Sequence, residues 1–91
     1  MRVRYTAEAI ADVEDILLYI AERNAAAAEI VSMAIEQVAD RIGSFPYSTQ
    51  ATDEQGIHMV PVGRFPYLLF YMIDHNEVWI VRLRHAARLR P

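Results

Sequence analysis

The run Tyr67-Leu-Leu-Phe-Tyr-Met-Ile73 is apolar at both parities. Side chains alternate between the two faces of a strand, so a chain containing this strand must bring cover to both faces of the sheet that holds it. The following run, Glu77–Arg84, has the same character, with Val78 and Ile80 on one face and Trp79, Val81 and Leu83 on the other. In a chain of 91 residues, which holds one domain of residues 1–91, the remaining segments must supply that cover or leave a face for a partner.

Two amphipathic helices are available. Thr6 stands at an N-cap position with Glu8 in the first turn, and Ile10, Val13, Ile16, Leu17 and Ile20 form an apolar stripe over a helix of about 7–23. Asn24 caps a second helix, whose stripe is Ala27, Val31, Ala34, Ile35, Val38 and Ile42 and which Gly43 is expected to stop. So short a connection makes the pair an antiparallel hairpin. Ahead of them, Arg2–Tyr5 alternates as a short strand with Val3 and Tyr5 on one face. Residues 43–56 read as a loop, and the runs Ile57–Val62, Pro66–Ile73 and Glu77–Arg84 as an antiparallel meander joined by short polar turns. Pro61 places the first of these runs at an edge. The fold class is therefore α+β, ordered β-α-α-β-β-β, with a helical hairpin packed on an antiparallel sheet. One hairpin covers one face, and the other is expected to be an interface.

Composition narrows the chemistry. All nine basic residues are arginine and cysteine is absent, which excludes a lysine or cysteine nucleophile and thiolate metal ligands. The net charge of −3 argues against general affinity for nucleic acid. It is also unevenly spread: residues 1–43 hold eight carboxylates against four arginines, and residues 44–91 hold five arginines against four carboxylates. No apolar run approaches the roughly 18 residues of a membrane span, and the expected location is cytoplasmic. His58, His75 and His85 lack companions at metal-ligand spacing, so neither a metal nor another cofactor is expected. Arg82 and Arg84 on one strand, with Arg64 and Arg88 nearby, fit binding of phosphate or of an acidic partner, or a solvated sheet edge.

Tyr5-Thr-Ala-Glu-Ala-Ile-Ala-Asp-Val-Glu-Asp-Ile-Leu-Leu-Tyr-Ile20, Asn24-Ala-Ala-Ala-Ala-Glu29, Phe45-Pro46, Val62-Gly-Arg-Phe-Pro-Tyr67, Phe70-Tyr71 and His85-Ala-Ala-Arg88 occur in this order over nearly the whole chain. Together they resemble the ParE branch of the RelE/ParE toxin superfamily. The resemblance implies the toxin of a type II toxin–antitoxin pair, of the kind called plasmid stabilisation proteins. It further implies a hetero-oligomer with a ParD-like antitoxin laid over the second sheet face, on Leu68, Phe70, Met72, Trp79, Val81, Arg82 and Arg84. ParE-like toxins act on DNA gyrase, and Tyr67, His85 and Arg88 are the expected target-binding residues. RelE-like relatives instead cut messenger RNA on the ribosome, and His58, Arg64, His85 and Arg88 are the corresponding catalytic group. Tyr67 stands where that branch usually has an arginine, and His58 where ParE-like chains usually have one. A third alternative is an inactive module that only binds the antitoxin.

Overall fold

A computed structural model describes residues 1–49, 52 and 54–89, with the side chains of residues 88 and 89 outside the description. The elements run β1 (Arg2–Tyr5), α1 (Ala7–Ala21), α2 (Ala25–Ser44), β2 (His58–Pro61), β3 (Tyr67–Asp74), β4 (Glu77–His85) and a 3₁₀ turn, Ala86–Leu89. The expected order is thus present, with element ends moved by a residue or two. Three positions of the anticipated loop, 50, 51 and 53, lie outside the described residues.

Both helix starts follow from side-chain capping. The Ala9 N–H donates to Thr6 Oγ1 at 3.1 Å, and the Ala27 N–H donates to Asn24 Oδ1 at 3.0 Å. Each cap satisfies an amide that has no intrahelical acceptor. Gly43 does not stop α2, which continues to Ser44. Its lack of a side chain matters for packing instead: a Cβ there would lie 2.9 Å from Val3 Cγ2 and 3.1 Å from the Met1 carbonyl oxygen. Glycine lets α2 lie directly on β1.

The sheet order is β1-β4-β3-β2. β2, β3 and β4 form the antiparallel meander, with His75 and Asn76 both at positive φ in a two-residue β3–β4 turn. β2 is an edge strand, as Pro61 requires. β1, however, adds parallel to β4, pairing Arg2 with Glu77 through Tyr5 with Ile80, so the sheet is mixed rather than wholly antiparallel. Turns reveal the direction of sequential strands, but β1 meets β4 from the far end of the chain. Its direction is set by Thr6, whose N–H donates to Ile80 O at 3.0 Å and whose hydroxyl donates to Val81 O at 3.1 Å.

The core lies between the hairpin and one sheet face. It contains Ala9, Val31, Ile35, Val38 and Ile42 from the helices against Val60, Leu69, Tyr71, Val78, Ile80 and Leu83 from the sheet. α1 turns Val13, Ile16, Leu17 and Ile20 toward this core together with Ala9, and Ile10 is rotated out to 48% exposure. Ile10 therefore does not belong to the buried stripe: at about 100° per residue the arc through Ala9 and Val13 leaves it on the flank. Between Phe70 and Tyr71 the β3–β4 register shifts, because Phe70 pairs with Arg82 and Tyr71 with Ile80, leaving Val81 as an extra residue. This bulge explains how Ile80 and Leu83, of opposite parity, both point into the core.

Gly43→Ala is expected to lower stability in urea unfolding. The methyl gains about 1 kcal/mol of helix propensity but meets a side chain and a backbone oxygen too closely, an overpacking cost of about 1–3 kcal/mol.

Candidate functional site

β1 ends opposite Ile80, so beyond that point this edge of β4 has no strand neighbour among the described residues. α1 fills the place. Asp12 Oδ2 accepts the Leu83 N–H at 3.0 Å and the Arg82 Nε–H at 2.8 Å, while Oδ1 accepts from Arg82 Nη2 at 3.3 Å. The carboxylate thus acts as a strand surrogate for one amide and a bidentate partner for one guanidinium. Burial alone pushes the Asp12 carboxyl pKa up. The Arg82 and Leu83 hydrogen bonds, with the charges of Arg82 and Arg84, outweigh this and hold it below its ordinary value.

Past this closure, α1 and the end of β4 diverge into a cleft of about 690 Å³. Asp15, Tyr19, Tyr67, Arg84 and His85 are among its lining residues. Tyr67 pairs with His85 across β3 and β4, with ring centroids 5.4 Å apart and planes at 88°. His85 Nδ1 accepts the Ala87 N–H at 3.1 Å, so its Nε2 is the nitrogen left to meet another group.

His58 stands elsewhere. It pairs with Tyr71, four residues along β3 from Tyr67, or about 13 Å at the usual strand rise. Its ring stacks on Tyr71 with centroids 5.0 Å apart and planes at 15°. The buried Tyr71 hydroxyl donates to Pro46 O at 2.8 Å and lies 2.6 Å from Thr49 Oγ1, which in turn lies 3.4 Å from His58 Nδ1. Each hydroxyl has one proton. With that of Tyr71 on Pro46, Thr49 donates to Tyr71, and His58 Nδ1–H faces Thr49 as donor. His58, Thr49 and Tyr71 thereby tie the segment after α2 to the sheet.

The catalytic group anticipated from sequence is accordingly divided: His85 lines the cleft, His58 belongs to the Tyr71 network, Arg64 is exposed in the β2–β3 turn, and the Arg88 side chain lies outside the described residues. Of the target-binding set, Tyr67 and His85 meet in the cleft, and Arg88 again lies outside the described residues. Of the set assigned to the second sheet face, all but Val81 share that face by strand register. Leu68, Phe70, Met72 and Trp79 are half-buried outside the core cluster, with Met72 paired to Trp79, and Met59 of β2 extends the patch beside Phe70. By register Arg82 stands opposite Phe70 and Arg84 opposite Leu68, on the same face as this patch, and both also line the cleft at the β4 edge, while Val81 is the bulge residue. Asp12 and the Thr49–Tyr71 pair were not legible as functional positions, since carboxylates and hydroxyls are common on helix faces and in loops.

The sequence model described as "ParE toxin of type II toxin-antitoxin system, parDE" matches residues 3–90. The chain belongs to the ParE toxin family. Toxin RelE2 of Caulobacter vibrioides is 32% identical over 88 residues, covering 97% of this chain and 98% of that one. Among solved structures, one described as the chromosomal ParDE TA system from P. aeruginosa shares the fold, with a TM-score of 0.71 and 16% identity over 93% of this chain and 95% of that chain. This ParE-family chain is thus a toxin of the type II toxin–antitoxin class.

Replacing Asp12 with alanine leaves the Leu83 amide and the Arg82 guanidinium without their acceptor. A loss of about 1–3 kcal/mol is expected in denaturant unfolding at neutral pH. Because the folded-state carboxyl pKa is lowered, this contribution is present above the unfolded value of about 3.9 and disappears as pH falls through the folded value. Wild type and the alanine variant should therefore converge in stability under strongly acidic conditions.

Proposed function

We propose that this ParE-family toxin acts by binding DNA gyrase and is neutralised by a ParD-type antitoxin laid over the outer sheet face. The observation that carries the antitoxin reading is the patch of Leu68, Phe70, Met72 and Trp79, which packs against neither helix and lies outside the core cluster. Such a row of alternate apolar positions receives an extended or helical segment that folds as it binds. Binding rather than catalysis is supported by the separation of His58 from His85, because an acid–base pair must reach one substrate within hydrogen-bond distance.

Action on gyrase rests on the family and on Tyr67, which replaces a phosphate-binding arginine in the cleft. Purified protein should inhibit gyrase supercoiling, and induction without antitoxin should arrest growth with damaged chromosomes. Intact chromosomes with cut messenger RNA would overturn the reading. Phe70→Asp should weaken antitoxin binding at least about thirtyfold by calorimetry, as expected for a buried aromatic anchor costing about 2 kcal/mol or more.

One observation favours a second reading, a ribosome-dependent endoribonuclease. The cleft gathers His85 and Arg84 with Tyr67 and Tyr19, a histidine and a guanidinium beside two aromatic rings. Under that reading the double variant His85→Ala, Arg88→Ala abolishes RNA cleavage while antitoxin binding persists. Under the first reading it produces no change in RNA, because there is no cleavage to lose.

A further inference from the structure

The most exposed aliphatic side chains do not lie on the sheet. Ile10 and Leu18 of α1 are 48% and 62% exposed, and Ile30 and Met33 of α2 are 57% and 59% exposed. Single exposed aliphatics are ordinary, but these four share the outer side of one hairpin. Ile10 and Leu18 lie eight residues apart, about 80° from one another around α1 at about 100° per residue, with Glu14 between them. Ile30 and Met33 are three apart on α2. Counted from the connection after Ala21, an antiparallel pair puts Leu18 near the level of Ile30, with Met33 farther along toward Ile10.

Charge decides what can cover this surface. Residues 7–44 hold eight carboxylates against Arg23 and Arg41. Of the eight, Asp12 is bound to Arg82 and Asp15 faces the cleft. Glu14, Glu29 and Glu36 make no ion pair among the described residues. Arg23 is already stacked 3.6 Å from the centroid of Tyr19 and donates to the Tyr19 carbonyl oxygen at 2.7 Å. Arg41 sits in the last turn of α2. A second copy would set the same carboxylates against one another across a two-fold interface, and an anionic membrane would repel them as well.

We propose that the outer face of the α1–α2 hairpin is a docking surface for a cationic amphipathic helix. Its aliphatic row packs on Ile10, Leu18, Ile30 and Met33, and its flanking Lys or Arg residues meet Glu14, Glu29 and Glu36. Helix-to-helix recognition of this kind joins apolar anchors to flanking charges that set partner choice. The surface is separate from the outer sheet face and does not depend on what that face binds.

Two synthetic helical peptides with the same leucine row, one flanked by lysine and the other by glutamate, test this with the full chain. The lysine peptide should bind in calorimetry, shift the methyl resonances of Ile10, Leu18, Ile30 and Met33, and lose affinity steeply with added salt. Leu18→Ser and Met33→Ser, both at exposed positions, should each weaken it about tenfold or more without changing the unfolding midpoint. Equal binding of the glutamate peptide, absence of lysine-peptide binding, or shifts confined to Phe70, Met72 and Trp79 would overturn the proposal. So would a dimer, seen by light scattering, that Leu18→Ser dissolves, because the occupant is then a second copy. Phe70→Asp should leave lysine-peptide binding intact, which keeps this surface distinguishable from the antitoxin site.

Discussion

The edge of β4 beyond Ile80 is the point on which the arrangement of helices and sheet depends. β1 is four residues long and pairs only with Glu77–Ile80, whereas β4 continues to His85. An unpaired amide there would invite another strand or lose a hydrogen bond, at about 1–3 kcal/mol if buried. Thr6 and Asp12 both serve this edge from the chain that follows β1: the threonine caps α1 and donates to Val81 O, and the carboxylate takes the Leu83 N–H. The turn from β1 into α1 and the docking of α1 on β4 are therefore one structural event. The same carboxylate holds Arg82, so of the two β4 arginines lining the cleft it is Arg84 that makes no ion pair among the described residues.

At the opposite side of the sheet, Tyr71 has a comparable part. It is fully buried, yet its hydroxyl reaches Pro46 O and Thr49 across the segment that leaves α2. A buried tyrosine needs such partners, since an unsatisfied hydroxyl is costly. His58 stacks on this ring and takes part in the same network. A histidine in this position stabilises a loop attachment, which accounts for its presence on a strand far from the cleft.

Much of this was legible in the sequence because it depends on local periodicity. The caps at Thr6 and Asn24, the hairpin, the three-strand meander and the edge position required by Pro61 all follow from neighbours within a few residues. The misread features depend on long-range geometry. Ile10 fits a helical stripe as well as Ala9 does, and only the sheet beneath α1 selects the alanine. Gly43 has the residue type of a helix stop but answers to Val3, forty residues away. A bulge at Val81 reverses parity for the rest of β4, so Leu83, grouped with Trp79 by counting along the strand, turns into the core, and Arg82 and Arg84 fall opposite Phe70 and Leu68. Likewise, His58 and His85 read as possible partners until the register separated them.

The uneven charge of the chain has a structural consequence that net charge conceals. The carboxylate-rich half forms the two helices, while the five arginines of the second half flank β3 in sequence, at position 64 before it and at 82, 84, 88 and 90 after it. One side of the molecule is consequently acidic with exposed aliphatics, and the cleft end of the sheet carries guanidinium groups. Electrostatic complementarity acts on local potential more than on total charge, so such a molecule can distinguish partners of opposite sign on different faces. A net charge of −3 therefore excludes little by itself. The hairpin, which must bury one face against the sheet for the domain to fold, is free to vary its other face, and selection for a partner can act there without disturbing the core.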